Sequence, residues 1–153
     1  MIRVKNILYP TDFSSYSNAA YFHALGLAEA YGASLTVVYV FTPGEDSRGR
    51  TDAERAYWRN QLEQIRPANA RIPVSHVLLE GDAADEIVRY AADACVDVVV
   101  LGTHGRTGLD GADMGSVAEK VMRDATCSVL VVKLPRGNRN AERPVLEAAT
   151  AGV

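Results

Sequence analysis

The chain alternates between apolar runs rich in β-branched residues and stretches with helical periodicity, and this alternation constrains its fold more than any other feature. The patterns predict strands over Val4–Tyr9, Ser34–Phe41, Val74–Leu79, Asp97–Leu101 and Val129–Lys133. They predict helices over Ser15–Tyr31, Thr51–Ile65, Ala83–Cys95 and Ser116–Asp124. Unbroken β-α-β alternation is typical of a parallel sheet covered by helices on both faces. The sequence therefore predicts a doubly wound α/β domain.

Apolar patterning also indicates where each element lies. The continuous run Val98–Leu101 predicts a strand buried on both faces, and the polar residues Ser75 and His76 predict that the third strand is an edge strand. Each helix has an apolar stripe that we expect to face the core. The stripes comprise Ala20, Ala24, Leu27, Ala28 and Tyr31, then Trp58, Leu62 and Ile65, then Ile87, Tyr90, Ala91 and Ala94, and finally Val117, Val121 and Met122.

The length of 153 residues suits one domain, which we place at residues 1–134. Thr42–Arg50 carries proline, glycine and serine and is predicted to be a mobile loop. The tail, residues 135–153, combines prolines, asparagines and charges with an alanine-rich end. It is predicted to be a largely disordered extension, with a short helix over Glu142–Ala149 as the alternative.

Charge and composition exclude several classes of function. The net charge is −3 and no run of lysine and arginine occurs, which argues against a nucleic-acid partner. No apolar stretch approaches the roughly 18 residues that span a bilayer, and charges at Arg3 and Lys5 interrupt any signal-peptide core. We therefore expect a cytoplasmic protein without a membrane segment. Cys95 and Cys127 form no Cys-x-x-Cys pair and are predicted to be reduced, mostly buried thiols, with a disulfide or redox role as the alternative.

The segment Gly102–Ser116 holds five of the 12 glycines and joins a predicted strand to a predicted helix. Glycines let a backbone approach a ligand closely, and the free amides of a first helical turn favour an anion. A second loop of ligand-binding composition, Pro10-Thr11-Asp12, follows the first strand. Parallel α/β sheets bind ligands at the carboxyl ends of their strands, and an aspartate there can accept hydrogen bonds from ribose hydroxyls. The two loops together predict a nucleotide, with its phosphates at the glycines and its sugar near Asp12.

The glycine spacing excludes two common phosphate-binding motifs. No Gly-Lys-Ser/Thr occurs, so the loop is not a P-loop, and no two glycines are spaced i, i+2 as in the dinucleotide fingerprint. The pattern Gly102-x-x-Gly105, nine residues and Gly115-Ser116 instead resembles the ATP-binding branch of the universal stress protein family. The opening Ile7-Leu8-Tyr9-Pro10-Thr11-Asp12-Phe13-Ser14, the turn Gly81-Asp82-Ala83 and the closing Cys127-Ser128-Val129-Leu130-Val131-Val132 are also similar. The resemblance covers about residues 2 to 134.

This resemblance implies a Rossmann-like, five-stranded sheet of order 3-2-1-4-5 that binds ATP. It implies adenine near Val40, ribose at Asp12 and phosphates at the glycine loop. It also implies a homodimer that pairs the last strands through Val129–Val132, which would otherwise form an exposed apolar edge. The predicted nucleotide-binding residues are Pro10, Thr11, Asp12, Val40, Gly102, Thr103, His104, Gly105, Arg106, Gly115, Ser116 and Val117.

Several of these residues have a second interpretation. Asp12 either contacts ribose or caps the first helix, and Ser116 forms a capping box with Glu119 that can coexist with phosphate binding. His104 has no assignable catalytic partner in the sequence, so no catalytic residue is predicted. Arg106 and Thr107 either contact a terminal phosphate or lie away from it.

Asp110 and Asp113 depart from the family pattern. They either face solvent or contact a Mg²⁺ ion that accompanies ATP. We predict a regulatory, ATP-binding stress-response protein. The alternatives are a slow ATP hydrolase or phosphotransferase, for which a nucleophile, a base and a loop lysine are missing, and a structural dimer whose pocket is empty or holds another nucleotide.

Overall fold

A computed structural model describes residues 1–44, 51–104 and 114–134 of the chain. Its strands are β1 (Asn6–Pro10), β2 (Ser34–Phe41), β3 (Val74–Glu80), β4 (Val98–Gly102) and β5 (Ser128–Val132). Its helices are α1 (Ser15–Tyr31), α2 (Thr51–Glu63), α3 (Ala83–Asp93) and α4 (Ser116–Asp124). Every predicted element is present, and its bounds differ from the prediction by at most two residues at either end.

The five strands form one parallel sheet in the order β3-β2-β1-β4-β5, which confirms the predicted order and the predicted edge position of β3. The register of β1 against β2 runs from Asn6↔Ser34 to Pro10↔Val38. On its other side, β1 pairs with β4 through Ile7↔Val98. The strand order reverses between β1 and β4, and this reversal is where open α/β sheets bind ligands.

Helices cover both faces of the sheet. Side chains of α1 and α2, among them Ala24 and Leu62, pack with Ile7 in one apolar cluster. Side chains of α3 and α4, among them Ile87 and Val121, pack with the neighbouring Leu8 in the other. Because successive strand residues point to opposite faces, β1 contributes alternately to both clusters. The sheet centre is therefore buried on both sides, as the apolar strand patterns predict.

The helix ends explain why the elements stop where they do. The Ser14 hydroxyl caps α1 by accepting a hydrogen bond from the Ser17 amide at 3.2 Å, and Gly32 ends this helix in the left-handed conformation at φ 63°. The Asp82 carboxylate caps α3 by accepting from the Asp85 amide at 3.0 Å, as predicted.

The predicted inward stripe of α4 is wrong in two of its three positions. Val121 is buried, whereas Val117 and Met122 are 38% and 51% exposed. The buried pair is instead Ala118 and Val121, which are spaced i, i+3, so the inward face of α4 is rotated from the predicted one. Counting only large apolar residues misplaced this face because one of its two buried residues, Ala118, is small.

Two further predicted core positions and one thiol are exposed. Tyr31 is the last residue of α1 and Ala94 follows the last residue of α3, so both lie at the carboxyl ends of their helices. Cys95 is also exposed, contrary to the prediction, because it lies in the turn after α3. Cys127 is half-buried, and burial raises the pKa of its thiol.

Some predictions lie outside the described residues. These are the tail at 135–153, most of the loop before α2, and the site residues Gly105, Arg106, Asp110 and Asp113. Within the described ranges, no helix combines the length and the apolar character that crossing a bilayer requires.

Candidate functional site

A cleft of about 530 Å³ opens at the carboxyl edge of the sheet, where the strand order reverses. The structure brings ten of the predicted site residues into its walls, and the other two, Gly105 and Arg106, lie outside the described residues. Those ten are Pro10, Thr11, Asp12, Val40, Gly102, Thr103, His104, Gly115, Ser116 and Val117. The loop after β1 and the loop after β4, which are far apart in sequence, thus line the same cleft.

The first wall is the turn between β1 and α1. The Thr11 hydroxyl accepts a hydrogen bond from the Phe13 amide at 3.0 Å, and the Asp12 carboxylate accepts one from the Ser14 amide at 2.9 Å. Asp12 therefore stabilises the turn rather than capping α1, because Ser14 occupies the cap position. Phe13 itself has φ 64°, a left-handed conformation that is uncommon for a bulky residue.

A buried network of hydroxyl groups supports this turn from below. The Tyr9 hydroxyl donates to the Ser17 carbonyl at 2.8 Å, and the Ser17 hydroxyl donates to the Thr11 hydroxyl at 3.1 Å. Burial raises the pKa of Tyr9, so its phenol stays neutral and remains a donor. Thr11 and Ser17 both border the cleft, so the network supports the part of the cleft wall that carries Asp12.

The second wall begins where β4 ends against the first turn of α1. A Cβ atom on Gly102 would lie 2.6 Å from the Tyr16 carbonyl oxygen, a distance that real Cβ atoms do not adopt. Beyond Gly102, the Thr103 amide donates to the Val132 carbonyl at 3.1 Å, and the Thr103 carbonyl accepts from the Gly115 amide at 2.6 Å. The two ends of the glycine-rich loop are therefore tied together at the cleft.

His104 lies at the edge of this wall. Its Nδ1 is 3.0 Å from the Thr103 hydroxyl, and its ring centre is 5.0 Å from that of Tyr16. A hydroxyl and an aromatic ring orient the imidazole, which is half-buried. These contacts suit a side chain that shapes the cleft.

The amino end of α4 forms the most polar part of the second wall. Gly115 occupies the cap position with φ −61° and ψ 150°, and no described side chain caps this helix. The predicted capping box is therefore wrong: Ser116 is the first helical residue, and the Gly115 carbonyl already accepts from the Glu119 amide at 3.0 Å. Ser116, Val117 and Ala118 all border the cleft. Their amides have no partner within the helix, so together with the helix dipole they favour an anion.

The remaining wall is largely apolar. Val38, Val40, Ile87 and Leu101 line it, and the Thr42 hydroxyl closes its outer end by donating to the Gly81 carbonyl at 2.9 Å. Since β1 ends opposite Val38, the last three residues of β2 extend past β1. The backbone near Val40 therefore borders the cleft, beside a surface that suits a flat apolar ring.

This fold and the sequence together identify the family. Residues 3–133 match the universal stress protein family. The chain belongs to this family. It is 34% identical over 142 residues to a universal stress protein of Methanocaldococcus jannaschii, an alignment that covers 86% of this chain and 84% of that one.

Solved structures of universal stress proteins have the same fold. The structure of a universal stress protein from Lactobacillus plantarum has a TM-score of 0.76 and 26% identity, covering 86% of this chain and 99% of that one. The crystal structure of a universal stress protein in complex with cAMP has a TM-score of 0.66 and 23% identity, covering 86% and 98%. These likenesses confirm the doubly wound, Rossmann-like architecture.

In this universal stress protein, the cleft includes residues that the sequence analysis did not select. Ser17 and Thr42 are polar lining residues, and Tyr39 borders the cleft from β2. A sequence signal existed for Ser17, which is the residue that the Ser14 cap binds, one turn into α1. Thr42 directly follows β2, so the rule that ligands bind at strand ends applies to it as well.

Proposed function

We propose that this universal stress protein binds ATP in the cleft and acts as a regulatory nucleotide-binding protein of the ATP-binding branch of its family. The observation that carries this proposal is the amino end of α4, which no described side chain caps and which opens into the cleft together with Asp12. An uncapped helix start attracts a phosphate, and a carboxylate suits the hydroxyls of a ribose. An apolar wall completes a site for a base.

In this proposal, the adenine lies on the apolar wall near Val40, where backbone groups can read its edge. The ribose hydroxyls donate to Asp12, and the phosphates accept hydrogen bonds from the amides of Ser116 and Val117. Gly102 and Gly115 allow the backbone to approach the phosphates, and Gly105 and Arg106 extend these contacts. Mg²⁺ accompanies the triphosphate as its counter-ion.

The comparisons support the class of ligand. The universal stress protein that was solved in complex with cAMP has the same fold, and cAMP is an adenine nucleotide. One end of this cleft suits an anion and the other end is apolar. A nucleotide requires both, because it carries a phosphate and a base.

We also propose that the chain forms a homodimer through β5 and acts in the cytoplasm. β5 is an edge strand of the sheet, and Leu130 on it is 36% exposed. Apolar edge strands promote pairing with another chain, so a second copy that covers β5 removes this exposed edge.

The direct test of the proposed function is ligand binding by the purified protein. Denaturation is expected to release an adenine nucleotide that chromatography and mass spectrometry identify. ATP at a hundred times its dissociation constant should add about 2.7 kcal/mol to the free energy of unfolding. That addition corresponds to a rise of roughly 5–10 °C in the melting temperature of a domain of this size.

GTP, ADP and cAMP serve as comparison ligands, each with and without Mg²⁺. GTP should give a smaller shift than ATP if the backbone near Val40 reads adenine. Appearance of ADP during prolonged incubation would favour the hydrolase alternative. Absence of both a released nucleotide and a shift with every ligand would refute the proposal.

A further inference from the structure

A cluster of aromatic rings links α2 to the turn that carries Asp12. The rings of Phe13 and Trp58 are stacked, with centres 5.5 Å apart and planes at 19°. Trp58 also contacts Tyr39, at 4.6 Å between ring centres, and Tyr39 in turn lies 5.2 Å from Phe13. Trp58 is the only tryptophan of the chain and is half-buried. The three rings thus contact one another pairwise, and two of them belong to segments that border the cleft.

The conformation of Phe13 makes this cluster more than ordinary packing. At φ 64°, Phe13 is held in the left-handed region, which bulky residues enter only when their surroundings enforce it. Phe13 lies directly between Asp12 and Ser14, so its backbone angles set the bond of 2.9 Å from the Ser14 amide to the Asp12 carboxylate. A relaxed Phe13 would change the position of Asp12.

Two contacts oppose that relaxation. One is the bond of 3.0 Å from the Phe13 amide to the Thr11 hydroxyl, which lies within the turn. The other is ring packing, in which Phe13 stacks on Trp58 of α2 and also contacts Tyr39 of β2. Because Arg55 of α2 bonds to Glu80 at the end of β3, at 2.9 Å, α2 has a contact with the sheet that does not involve the turn. The stack therefore connects Phe13 to an element outside the turn.

We propose that Trp58 is a positioning residue for the nucleotide site. Its ring holds Phe13 in the left-handed conformation and so keeps Asp12 in the cleft. The same ring also contacts Tyr39, which lines the cleft. This inference rests on the proposed binding of ATP at Asp12.

A purely structural role for Trp58 makes a different prediction. In that case, substitution lowers the free energy of unfolding, and affinity for ATP in the folded protein stays the same. If Trp58 positions Phe13, its substitution also lowers the affinity for ATP. This loss occurs only while residue 13 needs the Trp58 ring to hold its backbone conformation. Glycine adopts φ 64° without strain, so Phe13→Gly removes that dependence.

The experiment is titration of the full chain with ATP and Mg²⁺ by isothermal calorimetry, at a temperature where circular dichroism shows every variant to be folded. Trp58→Leu is expected to weaken ATP binding about three- to tenfold, which is the range that an aromatic pair contributes. Trp58→Phe should recover most of that loss. In a Phe13→Gly background, Trp58→Leu should change the affinity by less than about twofold.

Leu62→Ala is the matched control. Leu62 lies on the same helix, one turn after Trp58, and is 1% exposed, so its truncation also destabilises the packing of α2. It should leave the affinity of the folded protein within about twofold of the wild type, because the stack on Phe13 remains. If Trp58→Leu does not fold, Phe13→Ala tests the same contact, since alanine is strained at φ 64° and lacks the ring.

The outcomes separate the two proposals. If the wild type binds ATP and Trp58→Leu binds equally well, the positioning role is wrong and the proposed function stands. Equal losses in Trp58→Leu and Leu62→Ala would assign the effect to α2 as a whole and would also contradict the role of the ring. If the wild type itself binds no ATP, the proposed function fails and this inference fails with it.

Discussion

Replacing Gly102 with alanine is expected to lower the free energy of unfolding by about 1–3 kcal/mol, the usual cost of inserting an atom into a packed interior. The added Cβ would lie 2.6 Å from the Tyr16 carbonyl oxygen and 2.8 Å from its carbonyl carbon. Both are backbone atoms in the first turn of α1, so no side chain can move aside to make room. The amino end of α1 and the end of β4 would have to separate, and these two segments form neighbouring parts of the cleft.

Urea denaturation monitored by circular dichroism measures this loss, and ATP titration of the folded variant should show weaker binding as well. Gly26→Ala provides the control, because a Cβ at Gly26 would meet nothing within 4 Å and the residue lies inside α1. In a helix interior, alanine is more stable than glycine by about 0.5–1 kcal/mol, so this variant should gain stability. A Gly102→Ala protein as stable as the wild type would contradict the close contact between β4 and α1.

Removing the carboxylate of Asp12 is expected to weaken ATP binding by about ten- to a hundredfold, the range for hydrogen bonds to a charged group. Asp12→Ala removes the acceptor that we assign to the ribose, and it also removes the bond from the Ser14 amide. Asp12→Asn separates the two effects, because its amide oxygen can still accept from Ser14 while the charge is lost. The asparagine variant should therefore have an intermediate affinity.

Calorimetric titration with ATP measures both variants. Asp52→Ala is the control for a change of net charge, since Asp52 lies on α2 with a side chain that is 99% exposed. It should bind ATP like the wild type. An Asp12→Ala protein that binds ATP as tightly as Asp52→Ala would show that the carboxylate does not contact the ligand.

Local patterns in the sequence predicted the elements and their order along the chain. Alternating apolar runs located all five strands, and capping residues such as Asp82 and Gly32 located helix ends to within two residues. The rule that ligands bind at strand ends, combined with two loops of suitable composition, then predicted the cleft between Asp12 and Ser116. The order of the strands came from the family resemblance, since periodicity alone does not specify which strands are neighbours.

Features that depend on three-dimensional packing were not predictable in this way. The capping box failed because Gly115, one residue before Ser116, takes the cap position. The hydroxyl network from Tyr9 to Thr11 and the stack of Trp58 on Phe13 join segments whose distances no local pattern encodes. Both sets of contacts involve residues of the turn that carries Asp12.

The proposed phosphate contacts are the amides at the start of α4, and Ser116→Pro tests this assignment most directly. Proline is favoured at the first position of a helix, and Gly115, at φ −61° and ψ 150°, already has the conformation that a residue before proline adopts. The substitution should therefore preserve the fold while it removes one amide donor. Ser116→Ala, which removes only the hydroxyl, is the matched control.

Calorimetric titrations with ATP and with adenosine, which has no phosphate, provide the decisive measurement. We expect Ser116→Pro to bind ATP about tenfold more weakly than Ser116→Ala does, and to bind adenosine with unchanged affinity. Equal affinity of the two variants for ATP, or a parallel loss of adenosine binding, would contradict the assignment of the phosphates to α4.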